Sequence, residues 1–155
     1  MEKPTKTAKQ LLQVRASEVF SVAPGATVLS MLELFNAQVI DAVVVLEGDR
    51  LVGIVSQQDY ARKGELLGKR ATDTVVREIM TEKVIYVTPD DTVDQCRSLM
   101  HAKRVHHLPV VDGRRVIGML SSHDILQEII AEEEHLIHDL ERDRMEIMNP
   151  DPSSY

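Results

Sequence analysis

The stretch Val43–Asp59, VVVLEGDRLVGIVSQQD, returns 65 positions later as LPVVDGRRVIGMLSSHD at Leu108–Asp124. Each copy sets a short apolar run, a polar turn containing glycine and a second apolar run in succession, the pattern of a β-hairpin buried on at least one face. Working outward, the same offset aligns Val19–Lys63 with Val84–Glu128 without a gap, and 13 of the 45 pairs are identical. The identities include Pro24/Pro89, Thr27/Thr92, Gly48/Gly113, Gly53/Gly118, Ser56/Ser121 and Asp59/Asp124. They fall together at turns, glycines and polar positions, which marks an internal repeat.

Ahead of the hairpin, Val28, Met31, Leu32 and Phe35 recur at i, i+3, i+4 and i+7, so an amphipathic helix starts there with Thr27 as its N-cap. In the second copy Thr92 and Gln95 have the spacing of a capping box. Behind the hairpin, Ser56 and Ser121 mark the hand-over from strand to a further helix. The unit reads strand, helix, strand, strand, helix. The expected fold is α+β: two βαββα repeats related by a pseudo-two-fold axis, with a C-terminal helix added. The boundaries read as repeat 1 at 11–64, connector at 65–75, repeat 2 at 76–131, and C-terminal helix and tail at 132–155. Repeat 2 opens with Val76–Met80, which this reading aligns with Leu11–Arg15. The last helix carries Leu126, Ile129, Ile130, Leu136, Ile137, Leu140 and Ile147 on one side and is expected to stop at Asn149–Pro152.

Composition narrows the function. The 155 residues carry 18 Lys+Arg against 25 Asp+Glu, a formal charge of −7, and 3% aromatics with no Trp. That balance argues against a nucleic-acid partner, which calls for a basic face and stacking rings. Neither an 18-residue apolar run nor a hydrophobic stretch behind Met1–Gln10 is present, so no membrane span or secretory signal is expected and the protein reads as cytoplasmic. The single cysteine, Cys96, aligns with Met31 and reads as a core residue rather than a nucleophile. His135 and His138 lie three apart with no third ligand in view, and no metal is expected. Gly64–Arg70 falls short of a phosphate loop, no GxGxxG string exists, and no nucleophile stands beside a base, so no catalytic residue is assigned.

The repeated polar residues carry the chemistry. In GIVSQQD (Gly53–Asp59) and GMLSSHD (Gly118–Asp124) a serine ends the strand and an aspartate follows three residues later. A helix start offers unpaired amides to a phosphate, and a carboxylate accepts both hydrogen bonds of a ribose diol. The same spacing also serves as a plain N-cap with a first-turn acid. Its recurrence in register favours a binding role.

These two hairpins with their terminal Ser-x-x-Asp resemble the cystathionine β-synthase (CBS) domain, in the tandem arrangement called a Bateman module, over roughly Leu11–Ala131. The DYARK and REIMT segments are similar to those of small stand-alone bacterial CBS-pair proteins. The resemblance implies a regulatory, non-catalytic module that binds AMP, ADP, ATP, NAD(H) or S-adenosylmethionine in clefts between the repeats. By the same resemblance Asp59 and Asp124 hold ribose hydroxyls, Ser56 and Ser121 lie by phosphate or ribose, and Lys103, Arg104, Val105, His106, His107 and Leu108 border the adenine and phosphates. Similar proteins tend to carry arginines near the positions of Gln58 and His106, so their replacement here points toward single-phosphate ligands. Arg62, Lys63, Lys103, Arg104 and His123 stand nearby to supply positive charge. His106 and His107 align with Asp41 and Ala42, so one cleft is expected to bind phosphate better than the other. The resemblance further implies a homodimer and a regulated protein in another chain; the alternative is a structural or interaction module with unoccupied clefts.

Overall fold

A computed structural model describes residues 6–15 and 18–148. Its helices are α1 (Ala8–Arg15), α2 (Val28–Gln38), α3 (Gln57–Lys63), α4 (Val93–Lys103) and α5 (Ser122–Met148). Its strands are β1 (Ser21–Val22), β2 (Ala42–Glu47), β3 (Arg50–Ser56), β4 (His107–Asp112) and β5 (Arg115–Ser121). Repeat 1 therefore has the expected order β1-α2-β2-β3-α3. In repeat 2 the first strand shrinks to one parallel bridge, Val87 to Val110, which is the offset-65 equivalent of the β1 pairing of Val22 with Val45. The expected stop of α5 at Asn149–Pro152 lies outside the described residues.

Local signals in the sequence build these elements. Thr27 Oγ1 accepts from the Ser30 amide to cap α2. Thr92 and Gln95 close a reciprocal capping box on α4. The hairpins turn on Gly48 and Gly113, both at φ 63°, a conformation that glycine adopts without steric cost. In the three-stranded sheet β1 runs parallel to β2 and β2 antiparallel to β3, with a register shift between Val45 and Leu46. Ala42–Val45 are buried, as a continuous apolar run requires.

By its contacts the chain divides into two compact units, Met1–Leu120 and Ser121–Tyr155. The first unit holds nearly all of both repeats because each lends its opening segment to the other. In repeat 1, Val28 N donates to Thr74 O (2.8 Å), while Val76 N donates to Ala26 O (2.8 Å) and Arg77 N to Pro24 O (2.9 Å). In repeat 2, Val93 N donates to Lys6 O (2.8 Å), while Ala8 N donates to Asp91 O (2.8 Å) and Lys9 N to Pro89 O (3.0 Å). Every partner of one set maps onto the other, the loops at an offset of 65 and the lead-in segments at 68.

The lead-in therefore aligns Val76–Met80 with Ala8–Leu12, a correction of three residues to the sequence alignment. Its reason is packing. Val76 and Ile79 sit in the core of repeat 1 with Val28, Met31, Phe35, Val43, Val45 and Val55. Their equivalents Ala8 and Leu11 are buried likewise. Thr81 continues the exchange by pairing both ways with Ile54 on β3, at 3.0 and 2.8 Å.

The repeated strand glycines belong to this exchange. A Cβ at Gly53 would stand 2.7 Å from Met80 Sδ and 3.1 Å from the Thr81 carbonyl oxygen. At Gly118 it would stand 2.6 and 2.7 Å from the two methyls of Leu12, the residue equivalent to Met80. Each glycine is the notch that receives the other repeat's lead-in.

Helices α2 and α4 both end on a left-handed residue without glycine's freedom, Val39 (φ 55°) and Arg104 (φ 54°). For a β-branched residue that conformation is strained, and Val39 is 91% exposed, so no burial offsets the strain. Cys96 is fully buried in α4, as its alignment with Met31 implies, and burial, aided by the Asp91 carboxylate, pushes its thiol up to about 11.

Gly53→Val should lower stability by about 1–3 kcal/mol in urea titrations, and Met80→Ala in the same chain should recover part of the loss. Val39→Asn should stabilise by about 1 kcal/mol with the denaturant slope unchanged. Cys96 favours the neutral thiol when folded, so its contribution is complete below its unfolded pKa of 9.0 and is lost as pH rises toward about 11. Iodoacetamide labelling at pH 8 should accordingly track unfolding, and fast labelling of native protein would contradict the burial.

Candidate functional site

Both Ser-x-x-Asp motifs are reciprocal capping boxes. At the β3–α3 junction the Ser56 amide donates to Asp59 Oδ2 (2.9 Å), the Ser56 hydroxyl lies 3.1 Å from the same oxygen, and the Asp59 amide donates to Ser56 Oγ (3.2 Å). At the start of α5 the Ser121 amide donates to Asp124 Oδ2 (2.8 Å) and the Asp124 amide to Ser121 Oγ (3.1 Å). The geometry follows from the spacing: serine at N-cap and an acid at N3 satisfy each other's backbone donors. Each aspartate is thereby held in one orientation, which a binding carboxylate also needs.

The two boxes differ electrostatically. The Oδ1 of Asp59 lies 3.5 Å from Lys63 Nζ one turn on, and that ammonium also donates to Ile79 O at 3.2 Å. Lys63 thus neutralises Asp59 and ties α3 to the lead-in of repeat 2. The residue in the same place after Asp124 is Glu128, an acid. Asp124 is also the more buried of the two, with 8% of its surface exposed.

The loops before β2 and β4 meet across the repeats. His107 Nε2 lies 3.0 Å from Asp41 Oδ1. The Gln57 amide, at the start of α3, donates to the Asp41 carbonyl at 3.0 Å. Inside the first unit, therefore, one chain of contacts joins the Ser56–Asp59 box, the Asp41 backbone and side chain, and His107 of the other repeat. The offset places Ala42 opposite His107 in the alignment and Asp41 opposite His106, so the symmetric counterpart of this contact pairs Ala42 with His106 and forms no ion pair. Among the described residues this side-chain pair across the repeats therefore has no symmetric counterpart.

Of the other residues singled out from the sequence, Lys103, Arg104 and His106 are exposed beside this loop and Val105 is half-buried, its amide donating to Met100 O at 3.1 Å. Leu108 is buried in the core rather than available to a ligand. His123 is exposed in the first turn of α5. Sequence reasoning missed Asp41 as a partner of His107, because an alignment of the repeats compares equivalent positions and hides contacts between non-equivalent ones. Among the described residues no group of three or more His, Cys, Asp or Glu could hold a metal ion, and no helix is long and apolar enough to cross a membrane.

The CBS domain family model matches the chain twice, at residues 12–65 and 76–131. A solved putative signal-transduction protein with CBS domains from Burkholderia ambifaria is 37% identical, with a TM-score of 0.78, over 81% of this chain and 95% of that one. The CBS-domain pair of protein MJ0100, solved in complex with 5′-methylthioadenosine and S-adenosyl-L-methionine, is 26% identical with a TM-score of 0.65, over 72% of this chain and 91% of that one. The mitochondrial CBS domain-containing protein CBSX3 of Arabidopsis thaliana is 38% identical over 94 residues, 58% of this chain and 46% of that relative. The chain spans about half the length of the curated relatives it matches. The chain belongs to the CBS domain family and carries the domain twice in an α+β fold, the arrangement of a regulatory module.

Proposed function

We propose that the chain senses adenosine-containing ligands, with AMP, ADP or ATP first and NAD(H) or S-adenosylmethionine next, and passes their occupancy to a second copy and to a regulated protein. The observation that carries this reading is the pair of fixed carboxylates, Asp59 and Asp124, each held by a serine at the same place in its repeat. A carboxylate held in one orientation by its own helix start presents a fixed acceptor to the hydroxyls of a ribose. The adenosine ligands of MJ0100 support the same class of ligand.

In this reading repeats 1 and 2 span 11–64 and 76–131. Ser56 and Asp59 hold one ribose, with His107 and the neighbouring Lys103, Arg104, Val105 and His106 turned to base and phosphate. Ser121, His123 and Asp124 are the equivalent groups of the second site. His107 joins the repeats through Asp41, so a phosphate that binds the imidazole competes with that contact. Ligand then favours one arrangement of the loops by no more than its difference in affinity for the two. Lys63 favours a second reading at the first site, a purely structural box with an empty cleft, because it already neutralises Asp59.

A thermal-shift panel of AMP, ADP, ATP, NAD⁺, NADH, S-adenosylmethionine and GMP on nucleotide-stripped protein separates these readings. A ligand at about 100 times its dissociation constant stabilises by about 2.7 kcal/mol. At about 2–4 °C per kcal/mol for a chain of this size, the melting point should rise by several degrees. Asp124→Asn, which keeps the shape of the cap, should reduce that shift by more than half while the unliganded melting point moves less. A panel that moves nothing supports the empty-cleft reading.

A further inference from the structure

The groove of repeat 2 that takes the lead-in can be read through two occupants of one design. AKQLL at 8–12 fills it, and VREIM at 76–80 fills its counterpart in repeat 1. The first and fourth residues are buried in both, Ala8 and Leu11 in one and Val76 and Ile79 in the other. The fifth lies over the strand glycine, Leu12 on Gly118 and Met80 on Gly53. The second is basic in both. Arg77 Nη2 stands 4.0 Å from Glu47 Oε2, and Asp112 is the acid at the place of Glu47 in repeat 2. The amides of Ala8 and Lys9 donate to Asp91 O and Pro89 O, and Lys6 O accepts from Val93 N. Main-chain bonds for affinity and a few side-chain pockets for specificity are how folded domains recognise peptides.

The two occupants are not held equally. In repeat 1 Thr81 also pairs both ways with Ile54, and Lys63 Nζ donates to Ile79 O at 3.2 Å. Among the described residues no backbone hydrogen bond joins the equivalent pair, Gln13 and Met119. The place of Lys63 is taken by Glu128, whose carboxylate has no proton to donate. The apolar filling is smaller as well. Ala8 replaces a valine, and α4 sets Cys96 and Met100 where α2 sets Met31 and Phe35. Leu108 and Leu120, in the places of Val43 and Val55, offset this only in part. Helix α1 also carries its own capping box, the Thr7 amide donating to Gln10 Oε1 (2.9 Å) and the Gln10 amide to Thr7 Oγ1 (3.3 Å). Its internal bonds therefore leave with it, and a segment so fastened opens at less than the cost of global unfolding.

We propose that this groove is an exchangeable docking site, which α1 leaves and a segment of a different polypeptide enters, in the order aliphatic, basic, polar, aliphatic, aliphatic. The groove does not stand open, because Val93 N and the carbonyls of Pro89 and Asp91 need partners, and the entering segment supplies the same backbone groups. The α1 of a second copy has no advantage over the resident one, whose tether holds it at high effective concentration. A segment with a larger first aliphatic, as repeat 1 uses, does have one. The groove gives the regulated protein of the proposed function a place to bind. For that role the inference rests on that reading, while the docking itself needs no nucleotide.

Amide hydrogen exchange followed by NMR on the full chain, alone and with a synthetic peptide of residues 74–82, tests it. In the free chain the amides of Ala8, Lys9 and Val93 should exchange at least about tenfold faster than those of Val28, Val76 and Arg77. Excess peptide should expose Ala8 and Lys9 to exchange while Val93 gains protection. Leu12→Ala loosens α1 without placing charge in the core, and it should tighten peptide binding at least about threefold in fluorescence anisotropy. A peptide carrying Val76→Asp and Ile79→Asp should not bind. Equal protection of the two sets of amides overturns the proposal. So does a peptide that fails to bind at millimolar concentration, or one that binds while Ala8 and Lys9 stay protected. These outcomes are read on the wild type and stand whether or not Leu12→Ala folds. The nucleotide panel keeps the two readings apart, since a ligand shift without peptide docking sinks only this one.

Discussion

The exchange of lead-in segments between the repeats is the constraint on which the rest of this structure depends. A single repeat presents the amides of Val28 or Val93 and the carbonyls of Pro24, Ala26, Pro89 and Asp91 at the mouth of a helix, and none of these has a partner within its own copy. Buried backbone groups left in that state cost free energy comparable to a lost hydrogen bond. Residues 74–77 supply the partners for repeat 1 and residues 6–9 for repeat 2. The same strands of chain deliver Val76 and Ile79, or Ala8 and Leu11, into the apolar interior. Neither repeat completes its core alone, which is the physical reason that they share one compact unit.

That constraint explains residues whose role the motifs leave open. Gly53 and Gly118 look at first like companions of the Ser-x-x-Asp motif, since they precede each serine by three positions. The space above them is filled by Met80 and Leu12, so they answer to packing rather than to a ligand. Lys63 bridges the two roles, holding Asp59 on one side and the Ile79 carbonyl on the other. A change at the proposed ribose carboxylate of repeat 1 is thereby felt by the segment that joins the repeats.

Most of the fold was legible in the sequence. The helix stripe from Val28 to Phe35, the caps at Thr27 and Thr92, the hairpins and the buried Cys96 each follow from a local pattern, and local patterns survive tertiary context when all of them agree. The lead-in register was misread by three residues, although AKQLL against VREIM matches position by position. An ungapped offset of 65 hides an insertion between the lead-in and the repeat, and the shorter segment carries too few residues to announce its own register. The contact of His107 with Asp41 was out of reach for a different reason. It joins residues 66 positions apart that no periodicity relates, so only the folded chain brings them together.

Duplication gives two copies of the same scaffold, and divergence at a few side chains makes them unequal. Asp59 has a lysine one turn along and Asp124 has a glutamate there. Asp41 pairs with the His107 imidazole across the repeats, whereas the equivalents of these two residues are His106 and Ala42, which offer no carboxylate to an imidazole. The backbone geometry of the two capping boxes nevertheless agrees within a few tenths of an ångström. Charge, not shape, therefore separates the two positions. Around Asp59 a bound anion would enter a field already balanced by Lys63, and around Asp124 it would meet a more buried carboxylate with acidic neighbours. Within the first unit, residues 103–107 (KRVHH) differ in charge from their equivalents 38–42 (QVIDA), so in the proposed reading the discrimination between ligands at the Asp59 position falls on side chains that duplication left unequal.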